Sequence, residues 1–174
     1  GVKPDDALRE RVMKVVNDPA QARAHMDVVA GSAADLVRVL AGDAAPETSS
    51  LVAPFDAALR RLAADATLSR GDRISALISR IDLARLGTTK EDVAPKLPEA
   101  LLKDVRDHVA RDDREITDGY ERMAVIPSGG YALAHAGLWA ESDALLKANL
   151  AKSQAPYYLM SQLGGNARKQ GRND

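Results

Sequence analysis

Histidine is the residue type in this chain best suited to metal binding or proton transfer. The three histidines, His25, His108 and His135, are far apart in the sequence, so the fold or nearby carboxylates would have to complete any metal site. Only His108 has suitable neighbours, because Asp104 precedes it by four residues and Asp112 follows it by four. That spacing puts the three side chains on one helix face, which could hold a cation. We interpret it as a charged, solvated face.

Nucleophilic chemistry has few candidates in this sequence. The absence of cysteine excludes disulfides, thiolate metal sites and a cysteine nucleophile within this chain. No G-x-S-x-G motif occurs, and no serine stands in a recognisable pattern with histidine or lysine. We therefore predict no catalytic residue, no cofactor and no metal ligand. The alternative left open is a helical enzyme or metal-binding domain whose carboxylates and histidines converge only in the fold.

Two glycine pairs and one tripeptide resemble known binding motifs but lack their context. The pairs at residues 129–130 and 164–165 have neither the Lys-Ser/Thr ending of a phosphate loop nor the spacing of a dinucleotide-binding turn. We interpret them as helix-weakening positions, close helix contacts or hinges. The adhesion tripeptide at residues 70–72 follows Ser69, a residue type that caps helices, so Asp72 is expected to favour a helix N-terminus.

Aromatic residues gather near the end of the chain. Five of the six lie there, with Phe55 the exception: Tyr120, Tyr131, Trp139, Tyr157 and Tyr158. They could pack in a core, which we favour for Trp139 and Met160. They could also line a groove that binds a protein or peptide, because tyrosine and tryptophan dominate binding hot spots. The candidate partner-binding residues are Tyr131, Trp139, Tyr157 and Tyr158.

Composition limits the class of protein. A chain of 174 residues with 45% hydrophobic and 28% charged residues is typical of a globular domain. The net charge of −1 argues against a nucleic-acid partner, and no apolar run approaches the roughly 20 residues that span a bilayer. We predict a single helical domain over residues 1–174, with a possible subdivision into 1–45 and 50–174.

Helix patterns recur along the first half of the chain, and strand patterns do not. Asp5 or Asp6 caps a first helix, and Asp18 caps a second. The Gly-Ser pair at residues 31–32 is predicted to end that helix and start another, which Gly42 stops. After a loop over residues 42–50, a helix starts near Pro54, and a clearer one runs from Ser69 towards Gly87. A second loop covers residues 88–98.

The sequence of the second half of the chain predicts four further helical segments. Helices are expected from Pro98, from Thr117, around Trp139 and after Pro156. Proline and two glycines at residues 127–130 predict a kink or break in the segment that Thr117 starts. The total of eight or nine helices with short connections predicts an all-α fold of antiparallel helices. It would form either a bundle or an array of tetratricopeptide-like helical hairpins.

The closing stretch, AHAGLWAESDALLKANLAKSQAPYYLMSQLGGNARKQG, resembles the helical C-terminal region of bacterial thioredoxin-family thiol:disulfide interchange proteins. The matching residues lie at 136–138, 143–147, 150–153, 156–158, 160 and 166–167. The upstream segments 68–86 and 120–122 are also similar. Departures from the pattern are Ser142, the segment 127–130 and the glycine pair at 164–165.

This resemblance implies a role and a compartment. It implies a non-catalytic, tetratricopeptide-like domain of a periplasmic protein that binds or orients a partner or substrate for a separate redox domain. No redox residue can be carried over, because the CxxC motif of that domain is not in this sequence. Two other classes stay open: the helical enzyme or metal-binding domain, and a structural oligomerisation module.

Overall fold

The fold of the chain is all-α. A computed structural model describes residues 6–42, 45–87 and 96–172. Over these residues the chain is 81% helical, with nine α-helices and no strand, which confirms the predicted fold class. Within the same residues, no helix combines the length and apolar character needed to cross a membrane.

The chain divides into two compact units, Gly1–Pro98 and Glu99–Asp174. The first contains α1 (Asp6–Asn17), α2 (Pro19–Ala24), α3 (Met26–Ala41), a 3-10 turn (Pro46–Thr48), α4 (Val52–Ala64) and α5 (Arg70–Ala84). The second contains α6 (Glu99–Glu115), α7 (Gly119–His135), α8 (Trp139–Asn149), a 3-10 turn (Leu150–Lys152) and α9 (Pro156–Lys169). The expectation of a single domain over the whole chain stays a prediction.

Local capping residues start and stop helices in the first unit. The Asp18 carboxylate accepts hydrogen bonds from the backbone N–H groups of Ala20 and Gln21, at 2.9 and 3.2 Å. The Ser69 hydroxyl accepts one from the N–H of Asp72 at 3.1 Å, so the adhesion-like tripeptide forms the first turn of α5. Gly42 ends α3 with a φ of 61°, a conformation that favours glycine.

The predicted break at residues 31–32 is wrong. The chain leaves the helix earlier, at His25, whose φ of −116° and ψ of 33° separate α2 from α3. From Met26, α3 continues through Gly31 and Ser32 because its buried face continues on both sides of them. Burial of that face outweighs the cost of one helical glycine, about 1 kcal/mol.

Helix α4 is the centre of the first unit. It packs against α1, α2, α3 and α5, and its Phe55 and Leu59 are fully buried. Its start at Val52 precedes the predicted start near Pro54 by one half-turn. Pro54 still lies in the first turn, where a missing N–H costs nothing. Most of the predicted loop after Gly87 lies outside the described residues.

In the second unit, α7 packs against α6, α8 and α9. Its N-cap is Asp118, which accepts a hydrogen bond from the Glu121 N–H at 2.8 Å, and so the predicted cap at Thr117 is displaced by one residue. The core that surrounds α7 contains Ile126, Leu146 and Leu159, with Leu145, Leu150 and Leu163 packed against it.

Helix α7 is continuous through Pro127 and the glycine pair at residues 129–130, so the predicted break does not occur. Both glycines are buried where neighbouring side chains come close. A Cβ on Gly129 would lie 3.2 Å from Val109 Cγ1, and one on Gly130 would lie 2.8 Å from Leu146 Cδ2. Among the interpretations of this pair, close helix contact is the one that the structure supports.

Candidate functional site

Two adjacent tyrosines form the most exposed aromatic group of the second unit. Tyr157 and Tyr158 lie in the first turn of α9 and are 74% and 62% exposed. Their rings meet edge to face, with centroids 6.0 Å apart, a preferred geometry for an aromatic pair. The structure therefore places both outside the core.

Met160 belongs to the same exposed side of α9, and its predicted place in the core is wrong. It is 61% exposed, whereas its neighbour Leu159 is almost fully buried. The buried face of α9 therefore includes Leu159 and not Met160. The physical reason is Asn166, a polar residue whose burial was not expected and whose hydrogen bonds turn its face of α9 inwards.

Tyr120 lies at the same end of the unit as the two tyrosines of α9. The preceding residue, Gly119, is so close to Gln154 that a Cβ would lie 2.8 Å from the amide nitrogen. Further along both helices, a Cβ on Gly130 would lie 3.2 Å from Gln162 Nε2. The earlier residue of one segment contacts the earlier residue of the other, and the later contacts the later. Helices α7 and α9 therefore run in the same direction, and their first turns lie at the same end of the unit.

We use the name tyrosine surface for Tyr120, Tyr157, Tyr158 and Met160. All four side chains are more than 60% exposed. Sequence reasoning did not include Tyr120 or Met160 among the candidate residues. Exposed tyrosines suit protein recognition, because each offers a large rigid apolar body and a hydroxyl group that can donate or accept a hydrogen bond.

The other two candidate residues lie away from this end. Tyr131 is farther along α7, about 17 Å from Tyr120 at 1.5 Å per residue. It is 48% exposed, and its ring stacks on that of His135 with centroids 5.4 Å apart. Trp139 is half-buried and starts α8, beyond the far end of α7. The structure therefore brings together two of the four candidates.

A buried hydrogen-bond network fixes the position of α9. Asn166 Nδ2 donates to Ser142 Oγ and to Asp143 Oδ1 of α8, both at 2.9 Å. The Ser142 hydroxyl in turn donates to the Gly130 carbonyl of α7 at 2.7 Å. Three helices thus share one set of polar contacts, and their geometry sets which residues of α9 face solvent.

The Asp143 carboxylate has a lowered pKa. Burial raises its pKa, but the hydrogen bond from Asn166 and the hydrogen bond and charge of Arg172 outweigh burial. Arg172 Nη2 donates to Asp143 Oδ2 at 2.5 Å. The pKa of Asp143 therefore lies below its ordinary value of 3.8, and its charge is stabilised rather than held ready for proton transfer.

A second network joins α8 to the connection between α6 and α7. Arg122 Nη1 donates to Asp113 Oδ1 at 2.8 Å and to Asn149 Oδ1 at 2.6 Å. Its Nη2 donates to the carbonyls of Asp113 and Ile116. A guanidinium with this many acceptors in fixed positions is a structural clamp, and it braces the end of the unit where α7 begins.

The face formed by Asp104, His108 and Asp112 is not the solvated surface that we expected. His108 and Asp112 are 8% and 1% exposed. A cation is already present, because Arg111 Nη2 lies 2.9 Å from His108 Nε2 and Arg111 Nε lies 3.8 Å from Asp112 Oδ1. Across residues 6–42, 45–87 and 96–172, no three acidic or histidine side chains are grouped as metal binding requires.

Comparison with known proteins finds no relative of this chain. No protein-family model matches this chain, and no curated protein or solved structure matches it. The class of protein that the structure defines is an all-α helical array, and membership of the thioredoxin family stays a prediction.

Proposed function

We propose that this chain is a helical protein-interaction domain that does not itself catalyse a reaction. The observation that carries the proposal is the tyrosine surface. Of the eight large apolar side chains exposed among the described residues, four form this surface: Tyr120, Tyr157, Tyr158 and Met160. A folded chain gains nothing by exposing such residues together, whereas a partner that covers them gains about 25 cal/mol per Å² of apolar surface.

The rigid support beneath this surface favours recognition of a protein. The Arg122 clamp holds the first turn of α7, buried Leu159 anchors the start of α9, and the Asn166 network holds the later turns of α9. Side chains on a fixed backbone lose less freedom on binding than side chains on a loop. All four side chains of the surface are exposed, which suits contact with a protein or an extended peptide better than enclosure of a small molecule.

We further propose that the domain belongs to a periplasmic thioredoxin-family protein and holds a partner or substrate for a separate redox domain. The support is the resemblance of the closing stretch together with the absence of cysteine from this chain. Three polar residues within the resembling segments, Arg122, Asp143 and Asn166, form the networks that hold the second unit together. If this region and the helical region of those proteins have the same fold, the same polar residues are needed in both to hold the helices together, which accounts for the resemblance.

Two measurements test this placement. With dithiothreitol as the reductant, the purified chain should not raise the rate of insulin reduction above that of dithiothreitol alone, and measurable acceleration would contradict the non-catalytic role. In the longer protein that carries these residues, deleting 99–174 should change which substrates are oxidised or reduced. Unchanged substrate selection would contradict the role in orienting a partner for the redox domain.

A further inference from the structure

An apolar groove lies between α1 and α3 in the first unit, with a volume of about 320 Å³. Leu8, Val12 and Val15 of α1 form one wall, and Val28, Val29 and Leu36 of α3 form the other. Both helices also pack against α4. The groove is distinct from the tyrosine surface, which belongs to the other unit.

The spacing of the wall residues is that of a seam for another helix. In α1 they recur at intervals of four and three residues, as on the apolar stripe of a packed helix. Side chains in such rows form ridges that fit the grooves of a neighbouring helix. Yet Leu8 and Val28 are 38% and 49% exposed, so this seam has no helix lying on it among the described residues.

The side chains that line the groove include basic residues and no acidic residue. Of the residues that line it, only Arg11 and His25 carry a group that can be cationic, and no carboxylate lines it. Within the described part of the chain, neither side chain has a hydrogen-bond or ion-pair partner. An occupant with acidic side chains beside an apolar stripe would complement both the walls and the rim.

We propose that this groove receives an amphipathic helix of a partner protein, with an Asp or Glu beside its apolar stripe pairing with Arg11. The apolar stripe of that helix packs between the walls formed by α1 and α3, as in helix-in-groove recognition. The carboxylate contributes orientation and selectivity more than affinity, because Arg11 lies at the exposed rim.

Charge and shape disfavour the two other occupants. Arg11 lies near the middle of α1 (Asp6–Asn17), so a two-fold pairing of this face would bring two copies of Arg11 towards each other. A small carboxylate such as a fatty acid would be poorly enclosed, since good small-molecule sites cover most of the ligand surface. An amphipathic helix, in contrast, binds through its apolar face, and its polar face can stay in solvent.

The experiment uses the full chain and a labelled helical peptide. The probe has about 18 residues, enough for a helix that is marginal alone, with leucines at i, i+3, i+4 and i+7 and glutamates flanking them. The comparison peptide replaces each glutamate with glutamine. We expect saturable binding of the acidic peptide, with the glutamine peptide about 2- to 5-fold weaker.

Two exposed valines of α3 provide a matched pair of variants. Val28 lines the groove and Val39 does not, although both are exposed on the same helix, at 49% and 63%. V28D should weaken binding of the acidic peptide by about 10-fold or more, and V39D should leave it unchanged. Because both side chains are already exposed, both variants should keep the circular dichroism spectrum and melting temperature of the wild type.

A second matched pair tests the charge. R11Q should abolish the preference for the acidic peptide over the glutamine peptide. K14Q, a change at an exposed position of α1 that does not line the groove, should keep that preference. Equal peptide affinities in the wild type would contradict the proposed pairing with Arg11.

Three other outcomes would overturn the proposal. The first is no saturable binding of the acidic peptide, or equal losses in V28D and V39D. The second is stoichiometric binding of dodecanoate that V28D abolishes while the peptide does not compete, which would indicate a small carboxylate ligand. The third is a wild-type dimer in sedimentation that V28D converts to a monomer, which would indicate a second copy as the occupant.

Discussion

At the scale of single residues, the buried side chain of Asn166 sets the orientation of α9. Its side chain is almost fully buried, and its two hydrogen bonds to α8 satisfy an amide that would otherwise be costly to bury. Periodicity assigns a residue to the core by apolarity, so it could not select an asparagine. The same limitation explains why Met160 was placed in the core and Leu159 was not.

The buried charge of Asp143 makes the stability of the chain depend on pH. Asp143→Asn should lower the free energy of unfolding at pH 7 by about 1–3 kcal/mol, because Asn166 and Arg172 lose a charged acceptor. The folded-state pKa is lowered, so the wild-type advantage is present above the unfolded value of 3.8 and is lost as pH falls below it. Urea unfolding at pH 7 and near pH 3 measures this.

Asp107 provides the control for that change. Its carboxylate pairs with Lys103 on the surface of α6, where both side chains are largely exposed. Asp107→Asn should change the free energy of unfolding by less than about 0.5 kcal/mol at either pH. A difference between wild type and Asp143→Asn that stays constant from pH 7 to pH 3 would contradict the assigned role of Asp143.

At the scale of elements, local chemistry predicted helix boundaries where a side chain caps the backbone. Asp18 and Ser69 are confirmed as N-caps, and Gly42 as a stop. The boundary predicted at residues 31–32 is wrong, and at residues 127–130, where a kink or a break was expected, no break occurs. Glycine and proline lie inside helices at both places. There the outcome depends on what packs against the helix, which neighbouring residues in the sequence do not reveal.

The glycines of α7 and α9 differ in their surroundings and should respond differently to alanine. A Cβ on Gly130 would overlap the fully buried side chain of Leu146, whereas one on Gly165 would meet nothing within 4 Å. Gly130→Ala should destabilise the chain by about 1–3 kcal/mol. Gly165→Ala should stabilise it by about 0.5–1 kcal/mol, because alanine loses less backbone entropy in a helix. Urea unfolding measures both.

If Gly165→Ala lowered the free energy of unfolding and Gly130→Ala raised it, the close packing of α7 against α8 would not be present in solution. Circular dichroism on Gly165→Ala should show unchanged helical content, because an added Cβ there meets nothing within 4 Å. A loss of helical signal in Gly130→Ala alone would agree with the packing account. A loss in Gly165→Ala would contradict it.

At the scale of the whole molecule, each unit has buried residues of its own. Phe55 and Leu59 belong to a core made only of first-unit residues, and Leu146 and Leu159 to one made only of second-unit residues. Residues 1–98 and 99–174, expressed separately, should therefore each show a helical spectrum and a cooperative thermal transition. A gradual, non-cooperative melt of either fragment would contradict this independence.

The sequence predicted the all-α class because helix periodicity and caps are local properties. Of the four candidate partner-binding residues, Tyr157 and Tyr158 share one end of the unit, whereas Tyr131 and Trp139 lie away from it. The addition of Tyr120 depends on α7 and α9 running in the same direction, which follows from the contacts of Gly119 and Gly130. Helix direction within a bundle cannot be obtained from the spacing of aromatic residues.

Site-specific photocrosslinking tests the central claim, that the tyrosine surface binds a protein partner. A benzophenone side chain would replace Tyr157, Tyr158 or, as the control, Lys103, whose side chain is 73% exposed in the same unit. In the host that carries this protein, positions 157 and 158 should give the same discrete crosslinked species and position 103 should not. Crosslinks of equal yield from position 103, or none from the tyrosine positions, would contradict the claim.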